Sequence, residues 1–259
     1  MLAGVFNYRE DEMSKRIDVF LTENLGIKSR SKAQELIRGG FVLCNGKPAT
    51  KAGLFVTDND DIEIKENDIL KFVSRGGLKL EKAINEFGID LKDKLVLDIG
   101  SSTGGFTDCA LRYGARKVIA VDVGTDIMDR KLRFDSRVEL HENTDIRDFP
   151  EEAYSSIDYA VCDASFISLP VALKKLGASK VIFCLVALIK PQFECGIELA
   201  RKYKGVITDP QIHDEIIKKV TSEMEEIGFA LEKITVSPIL GGDGNKEFIA
   251  LFSHNLKMD

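Results

Sequence analysis

The 259-residue sequence has no tryptophan and only three histidines, and its five cysteines are odd in number. No two histidines have the spacing of metal ligands, so we do not expect a metal enzyme. The wide spacing of the cysteines predicts reduced, mostly buried thiols rather than disulfides, as in a reducing compartment such as the cytoplasm. These cysteines are Cys44, Cys109, Cys162, Cys184 and Cys195.

Long apolar runs are also missing. The longest, Val181–Ile189, suits a buried strand and falls short of the roughly 20 residues that a membrane helix needs. Residues 1–13 lack a basic start followed by an apolar core, so we interpret them as a leader segment and not as a signal peptide. A cytoplasmic protein without a membrane partner is expected.

The charge of the chain is unevenly distributed. Although the net charge is −6, residues 14–52 contain eight basic and three acidic side chains, whereas residues 53–73 contain six acids and two lysines. A local basic block favours binding to a polyanion. An ordinary solvated charged face is the alternative interpretation.

The basic block has the pattern of a small α+β domain. Apolar spacing predicts a helix around Arg16–Leu21 and a second over Ser29–Gly40, with a capping serine at its start and glycines at its end. The runs Phe41–Cys44 and Asp61–Ile64 predict strands, and Asn45-Gly46 predicts a turn.

Three short patterns in this block carry a resemblance. Arg-Ile-Asp, Ser-Arg-Ser-x-Ala-x-x-Leu-Ile-x-x-Gly and Val-x-x-Asn-Gly, spread over residues 15–64, resemble the RNA-binding domain first seen in ribosomal small-subunit protein four. The resemblance implies that polar and basic side chains contact RNA phosphates, which positions RNA without reading its sequence. The residues predicted to bind RNA are Arg16, Ser29, Arg30, Ser31, Lys32, Arg38, Lys47 and, in the segment that follows, Arg75.

From residue 94 onward, apolar β-branched runs alternate with helical patterns. This order predicts a doubly wound, Rossmann-like α/β sheet with an added antiparallel C-terminal strand, in which ligands bind at the carboxyl ends of the strands. The predicted strands are residues 94–99, 117–123, 138–142, 157–162, 181–189, 234–236 and 248–252, and the predicted helices are 107–113, 169–176 and 213–227.

A glycine-rich loop follows the first of these strands. Its spacing, Asp-x-Gly-x-x-x-Gly-Gly-Phe, differs from the Gly-x-Gly-x-x-Gly of dehydrogenases and is similar to the S-adenosylmethionine loop of ribose-methylating RNA methyltransferases. An acid at the end of the second strand can accept hydrogen bonds from the hydroxyls of a ribose. The alternative interpretation is that Asp98, Asp122 and Asp145 only cap helices or lie in solvated turns. The predicted cofactor residues are Asp98, Gly100, Ser101, Ser102, Gly104, Gly105, Phe106, Asp122, Asp145 and Asp163.

Charged side chains at two further strand ends, Asp163 and Lys190, indicate a site beside this loop. Together with Ser-Arg-Gly-Gly-Leu-Lys-Leu at 74–80 and Gly-Asn-Lys-Glu-Phe at 244–248, they resemble the hemolysin A (TlyA) family over residues 15–252. That family joins the RNA-binding domain to a ribose 2′-O-methyltransferase domain. The resemblance implies a catalytic tetrad of Lys79, Asp163, Lys190 and Glu247.

The resemblance also implies an organisation for the chain. We expect a leader at 1–13, the RNA-binding domain at 14–69, a linker at 70–76 and an FtsJ-like methyltransferase domain at 77–259. The family usually has a tryptophan in the linker, and this sequence has Phe72 there.

The expected function is methyl transfer from S-adenosylmethionine to a ribose 2′-hydroxyl, with ribosomal RNA or ribosomal subunits as partner. Lys190 would either remove the hydroxyl proton or stabilise the forming alkoxide. The alternatives are a non-catalytic RNA-binding or ribosome assembly factor and a membrane-active haemolysin. The second would need an apolar span or a strongly amphipathic helix, and the helix predicted at 213–227 has ordinary core spacing.

Overall fold

The structure is a computed structural model that describes residues 14–65, 71–181, 183–241 and 243–254. The predicted leader at 1–13 lies outside the described residues, as does residue 70 of the predicted linker. The chain divides into two compact units, Met1–Leu70 and Lys71–Asp259. Each has its own hydrophobic core.

The first unit is small and mixes helices with short strands. In its described part, β2 pairs with both β3 and β5, and β1 pairs with β4. Its elements are β1 (Lys15–Arg16), α1 (Ile17–Asn24), α2 (Arg30–Arg38), β2 (Val42–Cys44), β3 (Lys47–Pro48), β4 (Phe55–Val56) and β5 (Ile62–Ile64). The two predicted helices and the two predicted strands are confirmed, whereas β1, β3 and β4 are too short to show an apolar pattern.

Local chemistry explains the boundaries of α2. The Ser29 hydroxyl accepts a hydrogen bond from the Lys32 N–H at 3.2 Å, which satisfies one of the free donors of the first turn. After the helix, Gly40 has a φ of +74°, a left-handed conformation that favours glycine. Asn45 and Gly46 have φ values of +51° and +72° and join β2 to β3 in a tight hairpin, as predicted.

The second unit alternates strands with helices. In chain order its elements are α3 (Gly76–Phe87), β6 (Leu95–Ile99), α4 (Gly105–Arg112), β7 (Lys117–Val121), α5 (Arg130–Arg133), β8 (Val138–His141), a 3₁₀ turn (Glu151–Tyr154), β9 (Tyr159–Cys162), α6 (Leu169–Gly177), β10 (Cys184–Ile189), α7 (Pro191–Glu194), α8 (Gly196–Lys202), α9 (Pro210–Glu226), β11 (Phe229–Val236) and β12 (Phe248–His254).

The described strands of this unit form one seven-stranded sheet in the order β11-β12-β10-β9-β6-β7-β8. β12 is antiparallel to both of its neighbours, and β10, β9, β6, β7 and β8 run parallel to one another. Helices α6 and α9 contribute to the core on one face, and α3 and α4 to the core on the other. The predicted doubly wound fold with an antiparallel strand near its C-terminus is therefore confirmed.

The strand order reverses between β6 and β9. Chain connections leave these two adjacent strands toward opposite faces of the sheet, which opens a crevice at their carboxyl ends, where ligands of such folds bind. The crevice is the reason to look for a site there. No helix in the described parts of the chain is long and apolar enough to cross a membrane.

Helix α3 was absent from the sequence-based prediction. It packs closely against α4, because glycines lie where the two helices meet. A Cβ on Gly105 of α4 would lie 2.9 Å from the backbone nitrogen of Gly77 and 3.2 Å from the Cα of Gly76, both in α3, and a Cβ on Gly77 would collide with the Phe72 ring just before α3. Phe72, predicted to lie in a linker, is buried in the core of this unit, and the linker boundaries at 70–76 stay a prediction.

Candidate active site

The glycine-rich loop joins β6 to α4 at the carboxyl end of the sheet. Gly100 has a φ of +75°, and a Cβ there would lie 3.0 Å from the Cα of Ala164 in the loop after β9. Only glycine allows the two loops to approach so closely. Gly104 also has a left-handed backbone, with a φ of +91°, and α4 begins at the next residue.

A cavity of about 620 Å³ opens beside this loop, at the carboxyl ends of β6, β7 and β9. Five of the predicted cofactor residues line it: Gly100, Ser102, Asp122, Asp145 and Asp163. Polar and aromatic lining residues that were not predicted are Thr144, Arg147, Ser165 and Phe166. Apolar side chains, including Val123, Ile146 and Val171, complete the wall.

Two carboxylates on the cavity wall are held in fixed orientations. The oxygens of Asp122 accept hydrogen bonds from the backbone N–H groups of Ser102 and Gly124, both at 2.7 Å. Those of Asp145 accept from Arg147 Nε at 3.0 Å and Nη2 at 2.6 Å. The hydrogen bonds from Arg147 lower the pKa of Asp145. Asp145 Oδ1 also accepts from the Arg147 backbone N–H at 2.9 Å, so Oδ2 of Asp145 and the two oxygens of Asp122 keep a further lone pair for a ligand hydroxyl or amino group.

The other predicted cofactor residues, Asp98, Ser101, Gly104, Gly105 and Phe106, do not line the cavity. The Asp98 carboxyl is fully buried below the loop, where the Thr107 hydroxyl donates to Oδ2 at 2.5 Å. Its other oxygen has no hydrogen-bond partner among the described residues, and burial raises the pKa of Asp98 to about 7. Asp98, Ser101 and Phe106 are buried, and the contact of these five residues with a cofactor stays a prediction.

The four predicted catalytic side chains meet beside the cavity. Lys79 Nζ lies 2.7 Å from Glu247 Oε2 and 3.4 Å from Asp163 Oδ2. Lys190 Nζ lies 2.7 Å from Asp163 Oδ1 and donates to the Asp163 carbonyl at 3.1 Å and to the Ser165 hydroxyl at 2.8 Å. Asp163 therefore links the two lysines, and it also lines the cavity.

These side chains come from four different elements. Lys79 lies in the first turns of α3, Asp163 follows β9, Lys190 follows β10, and Glu247 precedes β12. Since β12 runs antiparallel to β10, with Phe248 opposite Ile189, its beginning lies at the same edge as the end of β10. The sheet topology thus places residues far apart in sequence at one edge. Their roles stay predictions.

The tetrad is almost buried and its formal charges balance. Lys79, Lys190 and Glu247 are each less than a tenth exposed. Burial lowers the pKa of Lys79, but the charges and hydrogen bonds of Asp163 and Glu247 outweigh burial and raise it overall. Lys79 is therefore a permanent cation that orients both acids. Gln192 Nε2 donates to the other oxygen of Glu247 at 3.3 Å, which fixes that carboxylate further.

An aromatic side chain stands at the mouth of the cavity. Phe166 is 90% exposed and has a φ of +65°, a conformation that is strained for a bulky residue. Its ring centroid lies 5.1 Å from that of Phe193, and Lys190 Nζ lies 5.9 Å from the Phe193 ring. The sequence analysis missed this pair, although Phe166 lies only three residues after Asp163.

In the first unit, a buried acid organises the predicted RNA-binding arginines. Asp18 is fully buried and accepts hydrogen bonds from Arg16 at 3.0 Å, Arg30 at 3.1 Å and Gln34 at 2.8 Å. The guanidinium groups of Arg16 and Arg30 are thereby held together at the surface. Ser29, Ser31, Arg38 and Lys47 are exposed.

Two of the predicted RNA-binding residues are less accessible. The Lys32 ammonium lies 3.6 Å from Glu35, and the Lys32 side chain is only 11% exposed. Arg75, in the second unit, is partly buried just before α3. Lys32 therefore offers less surface to a phosphate than its position in the basic helix suggested. The described residues contain no group of His, Cys, Asp and Glu side chains that could hold a metal ion.

Comparisons with known proteins agree with this arrangement. Residues 72–254 match the FtsJ-like methyltransferase family, and residues 15–62 match the S4 domain. The chain is 41% identical to hemolysin A from Brachyspira hyodysenteriae, over 92% of this chain and 99% of the relative. It is 37% identical to the 23S rRNA (cytidine-2′-O)-methyltransferase TlyA from Campylobacter jejuni, over 93% of this chain and all of the relative.

A solved structure described as "Putative hemolysin from Streptococcus thermophilus" is 37% identical and superposes with a TM-score of 0.73, covering 94% of this chain and 90% of that one. The match to the family model spans most of the chain, and the relatives are similar over nearly their whole length. The chain belongs to the FtsJ-like methyltransferase family, among relatives named TlyA and hemolysin A, and it carries an S4 domain at its N-terminus.

Proposed function

We propose that this methyltransferase transfers a methyl group from S-adenosylmethionine to a ribose 2′-hydroxyl of ribosomal RNA. The observation that carries the proposal is the Lys79–Asp163–Lys190–Glu247 cluster, which shares Asp163 with the cavity at the carboxyl edge of the sheet. The TlyA relative from Campylobacter jejuni is named for the same reaction on a cytidine of 23S rRNA.

The cavity suits S-adenosylmethionine in size and chemistry. Its volume of about 620 Å³ lies within the range of roughly 300–1,000 Å³ that small-molecule sites occupy. The fixed carboxylate of Asp122 can accept the hydroxyls of the adenosine ribose, and Val123, Ile146 and Val171 offer apolar surface to the adenine. Asp145 can accept a hydrogen bond from the adenine amino group. When bound, this cofactor supplies a methyl group on a positively charged sulfur, which makes the methyl electrophilic.

The residues of the tetrad supply positioning and proton control. A 2′-hydroxyl is a weak nucleophile, so the site must hold its oxygen in line with the methyl group and weaken its O–H bond. Lys190 is held by Asp163 and Ser165, which line the cavity. There it acts either as the group that receives the hydroxyl proton or as the cation that stabilises the alkoxide. Lys79 holds the carboxylates of Asp163 and Glu247 in place.

Surfaces outside the cavity suit an RNA substrate. The exposed ring of Phe166 offers a stacking face to a base that has been turned out of its helix, and stacking on aromatic rings is a common mode of RNA recognition. In the S4 domain, exposed cations such as Arg38 and Lys47, with the arginines held by Asp18, can contact phosphates. The alternative of a non-catalytic assembly factor would leave the assembled lysine–acid cluster without a use.

The proposal is tested by replacing Lys190 with alanine. Because general acid–base groups typically contribute about 10²- to 10⁴-fold, we expect Lys190→Ala to lower methyl transfer by at least about 100-fold. Affinity for S-adenosylmethionine should change little. Transfer of tritiated methyl to ribosomal RNA measures the first quantity, and calorimetric titration measures the second. Lys174→Ala, which removes an exposed lysine of α6, is the matched control and should retain activity.

Nuclease digestion of the methylated RNA, followed by mass spectrometry, identifies the modified atom. A methyl group on a base would contradict the ribose assignment. Full activity of Lys190→Ala would remove that lysine from the mechanism, and absence of transfer by the wild-type protein to any ribosomal RNA would favour the assembly-factor alternative.

A further inference from the structure

A group of exposed cations lies on the segment that follows Lys190 and on the turn just before β12. We call Arg201, Lys202, Lys204 and Lys246 the cationic cluster; all four are exposed. Within the described part of the chain none of them forms an ion pair with a carboxylate. Lys202 and Lys246 make only ring contacts, with Tyr203 at 5.3 Å and Phe248 at 5.6 Å. Their charges are therefore available to a ligand.

A buried asparagine fastens this cluster to the active site. Asn245 is 1% exposed, and it accepts a hydrogen bond from the Ile207 N–H at 2.9 Å and donates one to the Gly205 carbonyl at 2.8 Å. Lys204 immediately precedes Gly205, and Lys246 immediately follows Asn245. Lys204 and Lys246 are thus the chain neighbours of Gly205 and Asn245, which are hydrogen-bonded to each other.

The same turn contains the tetrad acid. Lys246 immediately precedes Glu247, and the following residue, Phe248, pairs with the last residue of β10. Lys204 and Lys246 consequently lie at the carboxyl edge of the parallel strands, the same edge at which β6, β7 and β9 line the cavity. In the segment 196–208, Glu198 is the one acidic residue beside three cations.

An RNA substrate brings negative charge to the mouth of the site. Each ribose in RNA has a phosphate on either side, so a reacting 2′-oxygen brings two negative charges to the mouth of the site. The tetrad cannot neutralise them, because its two lysines are already paired with Asp163 and Glu247. The cavity wall adds the carboxylates of Asp122 and Asp145, and the whole chain has a net charge of −6. Additional cations beside the site are required.

We propose that the cationic cluster, centred on Lys204 and Lys246, binds the RNA backbone phosphates that flank the target nucleotide. This inference rests on the proposed function, in that it takes an RNA ribose as the substrate. The contacts are to phosphates and not to base edges, so they position the RNA without reading its sequence. They act in the methyltransferase unit itself, in addition to the basic surface of the S4 domain.

The test compares two charge-matched double variants of the full chain. Lys204→Asn with Lys246→Gln removes two charges from the cluster, and asparagine tolerates the φ of +51° at position 204. The control, Lys92→Gln with Arg116→Gln, removes two exposed charges just before β6 and β7, at the amino edge of the same parallel strands. Both variants change the net charge equally, so a non-local charge effect would appear in both.

Binding to ribosomal RNA extracted from cells that lack this protein is measured between about 50 and 300 mM salt. Each lost phosphate contact makes the negative slope of log K against log salt shallower by roughly 0.7–0.9. The slope of the cluster variant should therefore be shallower than that of the wild type by about 1.5, and the slope of the control should be unchanged. At about 0.1 M salt, each lost contact corresponds to roughly a fivefold weaker binding. The KM for RNA in the methyl-transfer assay should rise in parallel.

Equal slopes in the cluster variant and the control would overturn the proposal. If the cluster variant unfolds at a lower temperature than the wild type, Arg201→Gln with Lys202→Gln replaces it, since α8 has no buried residues to disturb; an unchanged slope there would again overturn it. A slope difference in a protein that transfers no methyl group would refute the proposed function and leave the RNA-binding surface in place.

Discussion

Two aspartates, one fully buried and one partly buried, each hold a pair of cations. Asp18 holds Arg16 and Arg30 in the first unit, and Asp163 holds Lys79 and Lys190 in the second. Long basic side chains lose much conformational freedom when they bind, so an acid that fixes them beforehand lowers the cost of binding an anion or of ordering a reacting group. In both places the acid determines where the cations stand, although the cations would make the contacts.

Replacing Asp18 with asparagine tests this at the level of one residue. Hydrogen bonds from Arg16, above all, hold the pKa of the Asp18 carboxyl below its usual range. The folded state is therefore stabilised at pH values above the unfolded pKa of about 3.9, and this contribution is lost as the pH falls through the lower folded value. We expect Asp18→Asn to reduce the free energy of unfolding of the first unit by about 2 kcal/mol at pH 7.

Chemical denaturation of the full chain, followed by a probe in the first unit, measures that difference. The gap between wild type and variant should narrow as the pH falls from about 5 toward 2. Asp58→Asn, at an exposed position of the same unit, is the control and should leave the midpoint unchanged. Equal stability of Asp18→Asn and wild type at pH 7 would contradict the stabilising role of the arginine pair.

At the level of elements, the sequence predicted the long ones well. The strands with continuous apolar runs and the amphipathic helix α9 appear within a few residues of the predicted bounds, because burial and periodicity determine them locally. Helix α3 was missed because Gly76 and Gly77 resemble a loop, whereas in the structure they lie in the first turn of α3, where Gly77 packs against Phe72 and Gly105 of α4 approaches from 29 residues later. A contact with a distant element leaves no local pattern.

For the active site, too, the sequence predicted some features and missed others. The resemblance identified the four residues of the tetrad, and the structure brings them together. The resemblance could not show that Asp98 and Phe106 are buried in the interior and do not line the cavity, because that depends on the path of the backbone at Gly100 and Gly104. Arg147 was missed since its importance comes from its hydrogen bonds to Asp145.

Helix α6 depends on a residue from another element at its start. Ser168 does not cap it with its side chain; instead, Glu194 in α7 accepts a hydrogen bond from the Leu169 N–H at 2.8 Å. Lys190, at the beginning of α7, is bound to Asp163 and Ser165 at the other end of the same loop. Residues 190–194 therefore bind both ends of the loop 163–169 through hydrogen bonds and an ion pair.

Two variants of Glu194 separate its hydrogen bond from its charge. Burial raises the pKa of Glu194 to about 7, against the effect of the Leu169 N–H and of Lys219 and with a further contribution from Glu223. Between about pH 4.5 and 7 the folded state thus binds more protons than the unfolded state, whose glutamate pKa is about 4.3, and stability falls as pH rises through this window. Glu194→Gln keeps an acceptor for Leu169 and should abolish that decline.

Glu194→Ala removes the acceptor as well, which should lower stability at every pH by about 1 kcal/mol, the usual loss for a helix cap. The same variant should reduce methyl transfer, because the loop that carries Asp163 and Ser165 loses one of its two attachments. Thermal unfolding from pH 5 to 8 and the methyl-transfer assay measure the two effects. A decline in stability in Glu194→Gln as steep as that of the wild type would refute its assignment to this carboxyl.

At the scale of the whole molecule, the two units have separate hydrophobic cores, and we expect them to contribute differently to cofactor binding and RNA binding. The first unit has Ile17, Leu21 and Leu36 at its centre, and the second has the two faces of its sheet. The cavity and the tetrad are built entirely from residues of the second unit. Cofactor binding should therefore depend on the second unit alone, whereas RNA affinity should depend on the charges of both.

Deletion of residues 1–70 tests that division. We expect residues 71–259 to fold and to bind S-adenosylmethionine within about threefold of the full chain. The loss of three or more phosphate contacts, each worth roughly fivefold in affinity at about 0.1 M salt, should raise the KM for ribosomal RNA by about 100-fold. Calorimetry and the tritium assay measure these quantities. If the shortened protein methylated RNA as efficiently as the full chain, the basic surface of the S4 domain would be dispensable, and the cationic cluster of the second unit would have to account for RNA binding by itself.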